Sequence, residues 1–231
     1  SITPSIGTEL PGLVFYEPCF AQELEWILLA SLNQVLHRKE STYLRLSTRA
    51  IDQGLLDIPD DPVFKERIRH QVLNGAYRLI DLRGEVGYKP SENVVHIFTS
   101  GALVPESIEA SQILKEEGVF ANVVNVTSPD RLFREFQKSV LAGMAGQSDS
   151  MDCLTDVIPS EERTSPVITV SDGHPHGLAW IGSAIVTKSY SLGVSEFGQS
   201  GARQDLYHEY QIDTLGIMSA CFNALERDID K

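Results

Sequence analysis

Between Leu13 and Leu225 short apolar runs alternate with amphipathic helical stretches, and that alternation restricts the chain to an α/β architecture. Leu13–Tyr16 is an apolar run stopped by Pro18 and reads as a buried strand. From Phe20 to about His37, Phe20, Leu24, Ile27, Leu28, Leu32 and Val35 recur at helical spacing, opposite Gln22, Glu23 and Asn33. Residues 42–47 then alternate around Tyr43, Leu44 and Leu46 as a second strand. Strand, helix and strand with short joins predict a βαβ unit with parallel strands.

Residues 50–62, with two prolines and four aspartates, follow neither period. A linker is expected at 53–62, dividing residues 1–52 from a second unit over 63–231. In the second unit, 76–82 and 94–99 read as strands around a polar turn. Ser100-Gly101 leads into a helix with Pro105 in its first turn, Ile108 and Ile113 inward, and Gly118 as its stop. A strand follows at 122–127. Ser128-Pro129-Asp130 then opens a helix carrying Leu132, Phe133, Phe136 and Val140. Residues 143–166 read as a long polar loop, 167–170 as a strand, 178–185 as helical and 188–194 as the last strand. Two helices close the chain, near 202–210 and 214–227, the second burying Leu215, Met218, Cys221, Phe222 and Leu225.

The 42% hydrophobic content of these 231 residues is ample for a core. Nineteen Lys and Arg against 32 Asp and Glu leave a formal charge of -13, which repels a phosphate backbone; no nucleic-acid partner is expected. No apolar run approaches the roughly 18 residues that span a bilayer, so no membrane span is expected. Cys19, Cys153 and Cys221 are scattered without a Cys-x-x-Cys pair, which favours a reducing, cytoplasmic setting. The chain opens Ser1-Ile-Thr-Pro4 without a methionine, as expected of a processed chain or an excised fragment.

Few residues stand out as chemical candidates. Asp172-Gly173-His174-Pro175-His176 follows a strand, where open α/β sheets place ligands. Two histidines without a third ligand do not predict a metal site, so His174 and His176 are carried as substrate-channel candidates. Arg49, beyond the second strand, could meet an anion there, or form a surface ion pair. Phe197-Gly-Gln-Ser-Gly201 lacks dinucleotide spacing and reads as a structural join, with Ser200 able to cap the next helix. Glu23 reads as a capping or solvent-facing residue near a helix start. No catalytic, cofactor-binding or metal-binding residue is assigned.

Leu192-Gly-Val-Ser-Glu-Phe-Gly-Gln-Ser-Gly201, Asp205-Leu-Tyr207, Tyr210 and Ile212-Asp213 are similar to the C-terminal signature of the transketolase superfamily. His96-Ile-Phe-Thr-Ser-Gly101 and Ala121–Ser128 are similar to its strand-turn and following strand. Tyr16-Glu-Pro-Cys-Phe-Ala-Gln-Glu23 resembles a segment near the end of the pyrimidine-binding domain of homodimeric pyruvate dehydrogenase E1 components, and Tyr43–Arg49 that domain's last strand. The resemblance implies that 1–52 is the tail of that domain and 63–231 a transketolase C-terminal domain, a three-layer sandwich on a mostly parallel sheet. For the intact enzyme it implies thiamine diphosphate and Mg²⁺, a homodimer, decarboxylation of a 2-oxo acid, and acyl transfer to a lipoyl-bearing E2 acyltransferase. Ser171-Asp-Gly173 invites comparison with the Gly-Asp-Gly cofactor motif, but the next asparagine, Asn223, is too distant to complete the metal shell. The cofactor and catalytic groups are therefore expected in missing N-terminal domains, leaving this part inactive alone and able to support the dimer and frame the channel. Ketol transfer by a transketolase, and a non-catalytic interaction domain of the same fold, are the alternatives. The position of Arg49 is near a phosphate-binding arginine of transketolases.

Overall fold

The computed structural model describes residues 3–147 and 153–226. Its centre is a five-stranded sheet made of β3 (Ala76–Ile80), β4 (Val94–Thr99), β5 (Phe120–Val126), β6 (Val167–Val170) and β7 (Ser189–Leu192), in the order β3-β5-β4-β6-β7. All neighbours are parallel except β3, which runs antiparallel to β5 at one edge. Every residue of β4, β5 and β6 is buried. Parallel strands need cover on both faces, hence their nearly unbroken apolar runs.

Two layers of helices supply that cover. On one face α4 (Val104–Glu116) and α9 (Thr214–Ala224) pack on Val95, Ile97, Ala121, Ile168 and Val170. On the other, α5 (Pro129–Met144), α6 (Cys153–Val157) and α7 (His176–Ile185) contribute to a cluster containing Phe98, Val124, Val126 and Val167. Fully burying a side chain such as Phe98 or Ile97 is worth about 1.5–3 kcal/mol. Gly118 ends α4 with φ 71° as expected, and Ser128 Oγ caps α5 through Arg131 N.

The first unit is much smaller. After α1 (Thr3–Glu9), β1 (Leu13–Tyr16), α2 (Ala21–Arg38) and β2 (Ser41–Leu44) form the expected parallel βαβ, with only two strands in its sheet. It is tied to the larger unit by Glu17 N donating to Thr127 O at 2.8 Å and by Ser128 Oγ donating to Phe15 O. A shared cluster joins Val14, Tyr16, Trp26 and Ile27 to Ile68, Val72 and Tyr77.

The structure departs from the sequence reading at several points. The expected linker is mostly irregular, but its last residue, Pro62, opens α3 (Pro62–Asn74), with Asp61 capping through Phe64 N at 2.7 Å. Only Ile68 and Val72 of α3 are buried, too few for a clear helical period. Gly75 ends α3 at φ 117°, where an added Cβ would lie 2.7 Å from Ser128 O. The 143–166 loop contains α6 and a short 3-10 turn at Ser160–Glu162, while 148–152 lie outside the described residues. Ile113 and Leu215 are exposed, because the inward faces carry Ile108, Ala110, Ser111 and Leu114 in α4 and Ile217, Ala220, Cys221 and Ala224 in α9. Ser200 caps nothing: the residue before α8 (Arg203–Glu209) is Ala202, with no side-chain cap.

The largest departure is α2. Leu28, Leu32 and Val35, on the apolar face of the expected helix, are exposed together with Leu29 and Leu36, while Glu23, Ser31 and Gln34 are buried beside Trp26 and Ile27. Glu23 does cap, accepting from Cys19 N at 2.7 Å and Phe20 N at 2.9 Å, but it is fully buried rather than solvent-facing. Its other oxygen accepts from Tyr77 Oη and Asn125 Nδ2, both at 2.6 Å, so one carboxylate joins the two units. Burial raises its proton affinity, and these donors offset part of that rise. Glu23→Gln would leave donors facing an amide and is expected to cost about 1–3 kcal/mol in urea unfolding. Tyr77→Phe, which removes one donor, should cost less, about 1 kcal/mol.

Candidate functional site

The carboxyl ends of four strands meet where the two units join. Glu17 follows β1, Arg45 follows β2, Ser100 and Gly101 follow β4, and Asp172 follows β6. Glu17, Arg45, Gly101 and Asp172 line a cleft of about 430 Å³ with Leu46, Ser47, Thr48, Arg49, Ala102, and Arg203 and Tyr207 of α8. Ligands of open α/β sheets bind at this end of the strands.

Arg45 is the hub. Its Nη1 donates to Glu17 Oε1 and, at 2.6 Å, to Asp172 Oδ1. Glu17 is 2% exposed, and burial lifts its pKa to about 7; Arg45 works against that rise and Asp172 adds to it. The hydroxyl of Ser100 also works against the rise. Gly101 sits at φ 51°, where an added Cβ would lie 2.7 Å from Glu17 Oε1, so only glycine lets the backbone pass this close.

Arg49, a channel candidate from the sequence, lines the same cleft, but its guanidinium is engaged. Nη1 donates to Ala102 O at 2.9 Å and to both Glu106 oxygens at 2.5 and 2.6 Å. Burial opposes its charge, and Glu106 more than compensates. The hydroxyl of Tyr207 lies alongside, raised chiefly by burial. His174 and His176 stand elsewhere, exposed at the start of α7 and outside the residues lining this cleft. Their Nδ1 atoms are 2.6 Å apart.

The sequence reading passes over Glu17 and Arg45. The available signal is positional: an acid and a base each sit one residue beyond a short parallel strand, so both project from the same sheet edge. The residues present do not fit Mg²⁺ and a diphosphate. Asp172 is paired with Arg45, and the described residues contain no group of three His, Cys, Asp or Glu placed to hold a metal ion.

A family model for the transketolase-like TK C-terminal domain matches residues 75–213. The chain belongs to this family. Among proteins of known identity, the pyruvate dehydrogenase E1 component of Escherichia coli (strain K12) is 24% identical over 227 residues, covering 96% of this chain and 24% of that protein. The Haemophilus influenzae E1 component is 22% identical over 221 residues, covering 95% and 24%. The chain thus spans about a quarter of the length of the relatives it matches. Among solved structures, Leishmania mexicana transketolase superposes with TM-score 0.63 at 17% identity, covering 99% of this chain and 28% of that one. A split gene transketolase, described as an inactive beta4 tetramer, gives TM-score 0.55 at 16% identity, covering 97% and 62%. These similarities establish the fold of a transketolase C-terminal domain, and the family match covers the large sheet rather than the β1-α2-β2 unit.

The raised pKa of Glu17 makes stability depend on pH. A buried carboxyl that binds its proton more tightly when folded contributes stability fully below about pH 4.5, lost as pH rises through about 7. The expected loss is roughly 3 kcal/mol, read by chemical unfolding between pH 5 and 8. Glu17→Gln should remove that slope.

Proposed function

We propose that this chain is the C-terminal part of a thiamine-diphosphate-dependent 2-oxo acid dehydrogenase E1, acting on pyruvate and passing the acyl group to a lipoyl-bearing E2 partner. The observation that carries the reading is the state of the first unit. A two-stranded parallel sheet beside a helix whose aliphatic stripe faces outward is a domain lacking its other layers. That incompleteness agrees with a chain matching a quarter of each E1 relative over nearly its own whole length.

In this reading the thiamine diphosphate, its Mg²⁺ and the catalytic groups are held by N-terminal domains, which cover α2 and extend the β1–β2 sheet. The cofactor would supply the electron sink for decarboxylation. Residues of this chain would hold the large sheet, support a cytoplasmic homodimer and frame the entrance to the channel. The engagement of Arg49 by Glu106 favours pyruvate over a sugar phosphate, because a phosphate would have to displace a carboxylate already in place.

The deciding assay offers the full-length protein pyruvate, longer 2-oxo acids and xylulose 5-phosphate with thiamine diphosphate and Mg²⁺. Release of CO₂ from pyruvate is expected; turnover of xylulose 5-phosphate alone would make it a transketolase, and no turnover of any would sink the enzyme reading. The 231-residue chain alone is expected to show no saturable binding of the cofactor by calorimetry. It should also self-associate through α2. Leu32→Glu with Val35→Glu is expected to shift it toward monomer in analytical ultracentrifugation, since burying each such side chain is worth about 1.5–3 kcal/mol.

A further inference from the structure

The junction cleft has a charge balance that the proposed chemistry does not use. Three guanidinium groups, of Arg45, Arg49 and Arg203, face three carboxylates, of Glu17, Asp172 and Glu106. Arg49 is closed off by Glu106, and Arg45 is shared between Glu17 and Asp172. Arg203 is exposed on α8 and makes no ion pair among the described residues. With all three acids ionised the cluster is neutral. With one of them protonated it carries a single positive excess.

We infer that this cleft is a binding site for a small monocarboxylate, of the 2-oxo acid class, taken up together with one proton, with Arg203 and Arg45 as its cationic partners. The proton goes to Glu17, the buried acid of the cluster, whose affinity for it is centred near pH 7. Protonation withdraws one of the two carboxylates competing for Arg45, while Asp172 still holds that guanidinium in place. The incoming carboxylate then meets Arg203 and the freed part of Arg45.

A single excess charge matches a monoanion better than a phosphate ester, which would bring two negative charges to the same groups. The remaining walls suit a short carbon chain: Leu46, Ala102 and the ring of Tyr207 give apolar contact, and Ser47 and Thr48 give hydroxyls. Besides burial, the groups that set the proton affinity of Glu17 come from three surrounding elements: Arg45 beyond β2, Asp172 beyond β6 and Ser100 beyond β4. Tyr207 on α8 is coupled to Asp172 and Arg203, so α8 belongs to the same electrostatic unit. The site is carried by the cleft and its charges. Naming a 2-oxo acid as occupant rests on the function proposed above.

The test is isothermal titration calorimetry on the full-length protein stripped of thiamine diphosphate, with pyruvate, acetate and inorganic phosphate as probes between pH 6 and 8. Pyruvate is expected to bind saturably, about tenfold tighter at pH 6 than at pH 8, as a proton site centred near 7 requires. Titrations in buffers of different ionisation enthalpy should show uptake approaching one proton per anion at pH 8. Glu17→Gln should bind with little pH dependence and no proton uptake. Arg203→Gln should weaken binding at least tenfold at every pH. Asp172→Asn should bind at pH 8 as tightly as the unaltered protein does at pH 6, a gain of affinity that misfolding cannot produce.

Absence of saturable binding in both the unaltered protein and Asp172→Asn at pH 6 would overturn the site. A pH slope that persists in Glu17→Gln would overturn the role of Glu17. Tighter binding of phosphate than of either carboxylate would overturn the ligand class. Acetate binding as tightly as pyruvate would support the site and count against the 2-oxo acid reading of the enzyme, which separates the failure of one from the failure of the other.

Discussion

A parallel sheet has to be covered on both faces, and most of this structure follows from that requirement. Where β4, β5 and β6 cross the larger unit, cover is complete: two layers of helices leave every residue of those three strands buried. In the first unit the same requirement is unmet. β1 and β2 pair only with each other, and the most apolar stripe of the chain's longest helix points away from everything described. The contrast between a finished sheet and an unfinished one gives the chain its functional meaning more directly than any single residue does. It also explains how the first unit persists, since Val14, Tyr16, Trp26 and Ile27 bury against residues of the neighbouring unit instead of a sheet of their own.

Two buried glutamates fix that junction, and they differ in chemistry because their partners differ. Glu23 receives four hydrogen bonds from uncharged donors, two from its own helix start and two from the larger unit. All four act to hold a fixed geometry. Glu17 has a charged partner, Arg45, that it shares with Asp172, so its protonation redistributes charge across an open cleft. A carboxylate held by four uncharged donors specifies structure, whereas a shared guanidinium leaves a position another anion can take. The two acids lie six residues apart in the chain, and only the second borders solvent-filled space.

The sheet was legible in the sequence because buried parallel strands are written as continuous apolar runs, such as Val94-Val-His-Ile-Phe-Thr99. The same logic does not place α2: its apolar spacing specifies a helix, but a helical period says which residues share a face, not whether anything covers it. α3 is not legible for the opposite reason, since two buried residues over thirteen leave almost no period, and Pro62 resembles the end of a loop as much as the first position of a helix. Among candidate site residues, Arg49 reached the cleft and the histidine pair did not. Glu17 and Arg45 are separated by 28 positions and a helix, so their meeting depends on strand register, which no local motif encodes.

Register also shows why the cleft belongs to the junction rather than to either unit. Tyr16 pairs with Leu44, so the residues immediately beyond, Glu17 and Arg45, leave the small sheet side by side. Thr99 pairs with Val170, so Ser100 and Asp172 leave the large sheet at nearly the same level. The backbone bond from Glu17 N to Thr127 O brings these two edges together. Each unit alone would present only part of the charge set: Glu17, Arg45 and Arg49 on one side, Asp172, Glu106 and Arg203 on the other. Neutrality is reached only when they dock, so the electrostatics that poise the cleft for an anion also favour the docking of the two units.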